Sequence, residues 1–227
     1  MQPVPEFLNP VWHSLRTNLL EFSEGNELAM RLKPGSTPFA AIPEASEKCE
    51  KAIRELFQAG ERAVFIGAQP ESWEGWEFGY TFESVQMLYN GEIPDAEGLE
   101  ECKRVREEDI PALLELTAIV YPNYFRAGTV NLGPYFAVWR DGKVAAMAGT
   151  RLSFPGYREL STVCTHPDYR GQGLARKLSI RVIQEIMRNG EKPFLHTESD
   201  NSSAQKLYQS IGFTETHRLP ITVVTRI

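Results

Sequence analysis

The sequence has 227 residues, 42% hydrophobic, 11% aromatic and 24% charged, a composition that excludes a collagen, a disordered tail and a coiled coil. A formal net charge of −6 argues against nucleic acid as the main partner, because a phosphate-binding surface leaves a domain basic. No apolar stretch approaches the roughly 18 residues of a membrane span, and the opening MQPVPEFLNP has neither the basic nor the apolar region of a leader, so no membrane partner and a cytoplasmic location are expected.

In chain order, residues 11–22 place Trp12, Leu15, Leu19 and Leu20 at helical spacing. Residues 47–59 repeat that pattern with Ala52, Ile53, Leu56 and Phe57, and Gly60 supplies a stop. Strand-like apolar content marks 28–32, 39–42, 63–66 and 85–89, separated by Pro and Gly. The acidic stretch NGEIPDAEGLEE then marks a joint near 96–99, which divides the chain into a unit of unclear role, 1–98, and a second unit, 99–227. The first carries 7 Lys and Arg against 16 Asp and Glu, the second 17 against 14, an imbalance that suggests different partners.

The second unit has sharper signals. Asp109 and Pro111 open a helix whose apolar face is Leu113, Leu114, Leu116 and Ile119. Strands 135–140 and 143–151 are joined by Asp141 and Gly142, a strong hairpin signal, and Pro155 and Gly156 turn the chain into a third strand, 157–165. Next come RGQGLA and a long helix with Leu174, Leu178, Val182 and Ile186 in register, ended by Gly190. A strand at 194–197, a short helix capped by Asn201 and closed by Gly212, and an extended segment 215–226 complete the order.

A strand that runs through a glycine-rich loop into a helix presents backbone N–H groups and the positive end of the helix dipole, a site suited to a diphosphate. Here that loop is Arg170, Gly171, Gln172, Gly173, Leu174 and Ala175. A Walker loop would need Gly-Lys-Ser/Thr, and a dinucleotide fingerprint would need glycine at Arg176. About thirty residues on stands Asn201-x-x-Ala204-x-x-Leu207-Tyr208-x-x-x-Gly212-Phe213. The pair R-x-x-G-x-A and N-x-x-A-x-x-L-Y-x-x-x-G-F resembles the GNAT superfamily of acetyl-CoA-dependent N-acyltransferases. The fuller runs STVCTHPDYRGQGLA and FLHTESDNSSAQKLYQSIGF resemble the branch that includes the C-terminal half of glycine N-acyltransferases. The likeness covers residues 100–227.

The resemblance implies an α/β (α+β) GNAT-type fold: a mixed, mainly antiparallel sheet with a central splay, flanked by helices, with residues 1–98 as a candidate diverged half. It implies that Arg170 to Ala175 hold the pyrophosphate of acetyl-CoA, that Val163, Cys164 and Thr165 pair their backbones with pantetheine, and that Asn201 contacts that arm. Tyr208 corresponds to the tyrosine that protonates the departing CoA thiolate. Glu159, eleven positions ahead of Arg170, has the offset of the glutamate base in histone-acetylating members. The expected function is transfer of acetyl from acetyl-CoA to a primary amine of a small molecule or amino acid by direct attack, with no metal. A catalytically weak acyl-CoA sensor and a peptide acetyltransferase recruited through residues 1–98 are the alternatives, and no feature fixes the oligomeric state.

Other residues have plainer readings. His196, Glu198 and Asp200 alternate along one strand, a pattern that more often ends a strand than binds a metal, and His196 is a second acid/base candidate. Cys49, Cys102 and Cys164 form no CxxC pair and read as reduced thiols, with no neighbouring base to make Cys164 a nucleophile. Trp73 and Trp76 read as core aromatics before they read as an acceptor wall.

Overall fold

The computed structural model describes residues 5–120, 122 and 124–227; the first four residues of the segment read above for a leader lie outside them. In chain order the elements are α1 (Pro10–Arg16), β1 (Ser23–Gly25), β2 (Met30–Leu32), β3 (Ala40–Ala41), α2 (Glu47–Glu55), β4 (Arg62–Ile66) and β5 (Trp76–Tyr89). They continue as β6 (Lys103–Arg104), α3 (Ile110–Val120), β7 (Tyr135–Arg140), β8 (Lys143–Phe154), β9 (Tyr157–Thr165), α4 (Leu174–Arg188), β10 (Lys192–Glu198), α5 (Ser202–Ile211) and β11 (Phe213–Arg226). Strands β1, β2 and β3 form a small antiparallel sheet. The other eight share one sheet in the order β4, β11, β5, β10, β9, β8, β7, β6, whose strand pairs are antiparallel except β9 with β10.

Local chemistry explains several boundaries. Asp141 at φ +50 and Gly142 at φ +74 make the tight reversal between β7 and β8, and such angles suit Asp and Gly. Asn201 caps α5, its Oδ1 accepting from the Ala204 N–H at 3.0 Å. Helix α1 stops at Arg16 rather than at 22, because Thr17 leaves helical angles and the Asn18 amide instead donates to Ser153 Oγ at 2.7 Å. The strand expected at 85–89 is the last third of a much longer one, β5.

Alternation along β5 and β10 sets the layers. Val85, Met87, Tyr89 and Leu195 pack with Leu174, Leu178, Ile183 and Ile186 of α4 and with Tyr208 and Ile211 of α5. Their neighbours Leu88 and Phe194 face the other way, into a core with Phe7, Val11, Leu15 and Phe154. The rings of Phe7, Phe154 and Phe194 meet there with centroids 5.3 to 5.5 Å apart. At roughly 1.5–3 kcal/mol for each large aliphatic or aromatic side chain fully buried, these two cores hold the sheet between α4 and α5 on one face and α1 on the other. Helix α2 packs elsewhere, its Cys49 and Ile53 against Phe65, Trp76 and Val224.

The joint near 96–99 falls in the connection between β5 and β6. The large sheet runs across it, since β5 lies between β10 and β11 and pairs with both. Among the described residues, 1–98 contribute β4, β5 and the three-stranded sheet rather than a second splayed sheet.

Candidate active site

The parallel pairing of β9 with β10 is short. It runs through Lys192↔Tyr157, Pro193↔Arg158 and Phe194↔Glu159 and then stops, while β10 stays paired to β5 as far as Glu198↔Ser84. The two strands therefore part beyond Glu159. A bulge on β9 adds to the divergence: Ser161 pairs with Gly149 and Cys164 with Met147, which leaves Thr162 and Val163 opposite Ala148 alone. Thr162 sits at φ +53, a strained angle for a β-branched residue, and its Oγ1 lies 3.3 Å from the Tyr135 hydroxyl. No glycine or asparagine in STVCT signals this bulge.

A cleft of about 760 Å³ opens through the splay. At one end stand Arg170, Gly171, Gly173, Leu174 and Ala175, and along one side Val163, Cys164 and Thr165. Gly171 and Gly173 have φ of +77 and +73, and Gly173 caps α4, so the first amides of a 15-residue helix face this end. Nothing in the protein occupies the space where a side chain at either glycine would begin. Leu174 is 3% exposed and anchors the helix start in the core, so its contribution to the cleft wall is mainly backbone. Gln172 is on the loop but does not line the cleft.

Helix α5 closes the same space. Ala204, Leu207 and Tyr208 line it together with Asn201, whose side-chain oxygen is already used in the helix cap. Tyr208 is 8% exposed and packs edge-on to Phe213 with centroids 5.9 Å apart. The donor set and the room fit acetyl-CoA: consecutive amides at a helix N-terminus with Arg170 and Arg176 beside them for phosphates, and a strand edge left open for an extended amide chain.

Glu159 is on the last residue pair before the splay, but its carboxylate is buried and does not line the cleft. It receives two hydrogen bonds from the Arg151 guanidinium at 3.1 Å, one from the Leu152 N–H at 3.2 Å and one from His196 Nδ1 at 2.8 Å. Burial alone would raise its pKa, yet the Arg151 charge and the His196 hydrogen bond bring it down to about 2. Because an ionised carboxylate only accepts, His196 carries its proton on Nδ1. His196 Nε2 lies 3.0 Å from Gln86 Nε2, whose amide also donates to the Phe7 carbonyl at 3.1 Å. Gln86 Oε1 in turn meets His217 Nδ1 at 3.1 Å. A buried polar chain thus crosses the apex of the splay from β8 through β9, β10 and β5 to β11.

The remaining candidates are placed as follows. Glu198 and His196 both line the cleft, the side chain of His196 being only 2% exposed, and no group of three potential ligands close enough to hold a metal occurs among the described residues. Burial pushes the Cys164 thiol up to about 12 and the Cys102 thiol up to about 11, which leaves neither as a nucleophile at neutral pH. Trp76 packs edge-on to Phe57 at 5.3 Å, away from the cleft, as a core aromatic does. Among the lining residues that the sequence did not single out are Phe39, Val64, Ile66, Phe82 and Ile221. All except Ile221 come from the first 98 residues, and their grouping depends on pairings such as Ile221↔Ile66 that span most of the chain.

This architecture has close relatives. A solved structure of a GNAT-family protein from Novosphingobium aromaticivorans superposes with a TM-score of 0.90 at 31% identity, covering 99% of this chain and 100% of that one. The chain belongs to the GNAT family. Residues 138–219 match the FR47-like protein family. A GCN5-related N-acetyltransferase-like protein from Streptococcus suis shares the fold, with a TM-score of 0.61 over 98% of this chain and 96% of that one, at 16% identity. Among curated relatives, the L-amino acid N-acyltransferase MnaT of Escherichia coli is 35% identical over 43% of this GNAT chain and 59% of its own. The [ribosomal protein bS18]-alanine N-acetyltransferase of E. coli is 32% identical over 47% and 76%. The L-methionine sulfoximine/L-methionine sulfone acetyltransferase of Salmonella typhimurium is 38% identical over 38% and 54%. The matched region spans a little over half the length of the first and third of these enzymes.

Proposed function

We propose that this GNAT chain is an N-acetyltransferase that moves an acetyl group from acetyl-CoA to the primary amine of a small molecule or amino acid by direct attack. The observation that carries this is the meeting, in one cleft, of the splayed edge of β9, the glycine loop at the start of α4, and Tyr208. The names of the relatives, which include an amino-acid acyltransferase, support it, as does the likeness of the motif pair to the glycine N-acyltransferase branch. Its three cysteines, buried and unpaired, support the reading that it acts in the cytoplasm.

In this reading the amides of residues 171–175 and Arg170 bind the diphosphate, and the backbone of 163–165 holds the pantetheine arm. The bulge at Thr162 takes an amide out of ladder register, so that an N–H near Val163 or Cys164 can donate to the thioester oxygen as it gains charge. Tyr208 gives its phenolic proton to the leaving thiolate. Glu159, held at about 2, is far too weak a base for an alkylammonium near 10, and both ring nitrogens of His196 are engaged. Those two residues position β9 and β10, and the amine reacts as its neutral fraction, having given up its proton to bulk solvent before it binds.

The test is release of CoA thiol from acetyl-CoA over a panel of amines, followed against pH. Turnover should rise about tenfold per pH unit until the pKa of the amine is reached, since only the neutral amine attacks. A plateau beginning near pH 6 to 7 would instead assign the proton to a protein base. Saturable acetyl-CoA binding without thiol release would point to a sensor.

Gly173→Ala tests the phosphate end. Alanine in the left-handed region costs about 1–2 kcal/mol, and its methyl would project into the otherwise open space beside the loop. The dissociation constant for acetyl-CoA, read by calorimetry, should rise about tenfold, with a fall of a few degrees in melting temperature. Unchanged affinity would remove the loop from the binding site.

A further inference from the structure

We infer that the acceptor is an amine bearing an apolar substituent, aliphatic or aromatic, and not a polyamine, aminosugar or lysine-rich peptide. This rests on the acetyltransferase reading and deepens it. Phe39, Val64, Ile66, Phe82 and Ile221 form an apolar part of the cleft lining that belongs to a different core from the one packed against α4, with the Arg151 guanidinium lying over the Phe39 ring at 4.7 Å. Phe39, Val64, Ile66 and Ile221 belong to one continuous apolar cluster, against which Phe82 packs. Phe82 also stacks on Tyr80, with centroids 6.1 Å apart and planes at 27°, and Tyr80 is 43% exposed, so the apolar wall continues onto the surface.

Charge points the same way. A polycation would need several carboxylates along its path, and among the described residues that line the cleft Glu198 alone carries one, against Arg170 and Arg176, with the charge of Arg151 already matched by Glu159. Glu159 is not available for this, since it is buried behind the wall in its pairing with Arg151 and His196. The acidic balance of residues 1–98 therefore lies outside the cleft, and what those residues bring to it is hydrophobic. An apolar group seated here leaves water, whereas a second or third ammonium would be stripped of water with one carboxylate to receive it.

The experiment compares 2-phenylethylamine, isoamylamine, ethylamine and spermidine on the full chain, by calorimetric binding with and without CoA and by thiol release with acetyl-CoA. Phenylethylamine and isoamylamine should bind at least tenfold more tightly than ethylamine, with spermidine weakest, and kcat/KM should follow that order. Phe82→Ala should lower the preference of phenylethylamine over ethylamine about tenfold, and Phe82→Leu should keep most of it. Phe82 is only partly buried, at the margin of its core cluster, which favours folding of both, as circular dichroism would verify. Tighter binding or faster turnover of spermidine, an unchanged preference in Phe82→Ala, or no detectable binding of the apolar amines would overturn the inference. Apolar preference in binding without thiol release would instead overturn the transferase reading and leave this one standing.

Discussion

Glu159→Gln is expected to destabilise the protein by about 3–5 kcal/mol, measured as the shift in free energy of denaturant unfolding at pH 7, because breaking one side of a buried ion pair strands the other. The side chain of Arg151 is 13% exposed and that of Glu159 1%, so solvent does little to replace the lost charge. The amide of glutamine would also turn an N–H toward the guanidinium. A pH series provides an independent reading. The carboxyl has a folded pKa near 2 against an unfolded value of 4.5, so its contribution is complete above about 4.5 and is lost as pH falls through 2. That depression corresponds to about 3 kcal/mol, in line with the mutational cost. The gap between wild type and variant should therefore be full at pH 6 and shrink steadily below pH 4. A gap that does not change between pH 6 and pH 3 would show that the charge of Glu159 is not what stabilises the splay.

Tyr208→Phe should reduce kcat for thiol release by roughly 100-fold or more while leaving acetyl-CoA affinity within about twofold. The two effects separate because the ring and the hydroxyl do different things. The ring packs against Phe213 and completes the wall of α5, and phenylalanine preserves that. The hydroxyl is what can protonate a thiolate, and a phenol near 10 is within about two units of an ordinary alkyl thiol, close enough for transfer to be shared in the transition state. Reduced affinity with unchanged kcat would make Tyr208 a binding residue, and a loss under twofold in both would make it a packing one.

What could be read from the sequence was what the chain encodes over short distances. The reversal at Asp141 and Gly142, the loop from Arg170 to Ala175, the Asn201 cap and the i+4 ladder of α4 each use signals within a turn or two, and each occurs where the spacing put it. The first two thirds of β5 were not legible, because Gly79, Glu83 and Ser84 interrupt any alternating apolar pattern, and the partners of that part, on β11 and for Ser84 also on β10, lie more than a hundred residues on. The surroundings of Glu159 escaped for the same reason. A glutamate in a strand reads as solvent-facing until Arg151 and His196, eight and thirty-seven residues away, are seen to enclose it. The apolar part of the cleft lining had no local signature at all, since its residues are ordinary strand hydrophobics that only the sheet order gathers.

The placement of β5 between β10 and β11 also bears on how the molecule is made. As the chain emerges from a ribosome, β4 and β5 are complete while the strands that flank them are still more than a hundred residues from synthesis. Long-range pairings of this kind raise contact order and slow folding, so the long aromatic ribbon from Trp76 to Tyr89 must wait with unpaired edges. Nascent molecules are thus exposed to aggregation through this ribbon, and the demand for chaperone holding should end only when β11 docks between β4 and β5.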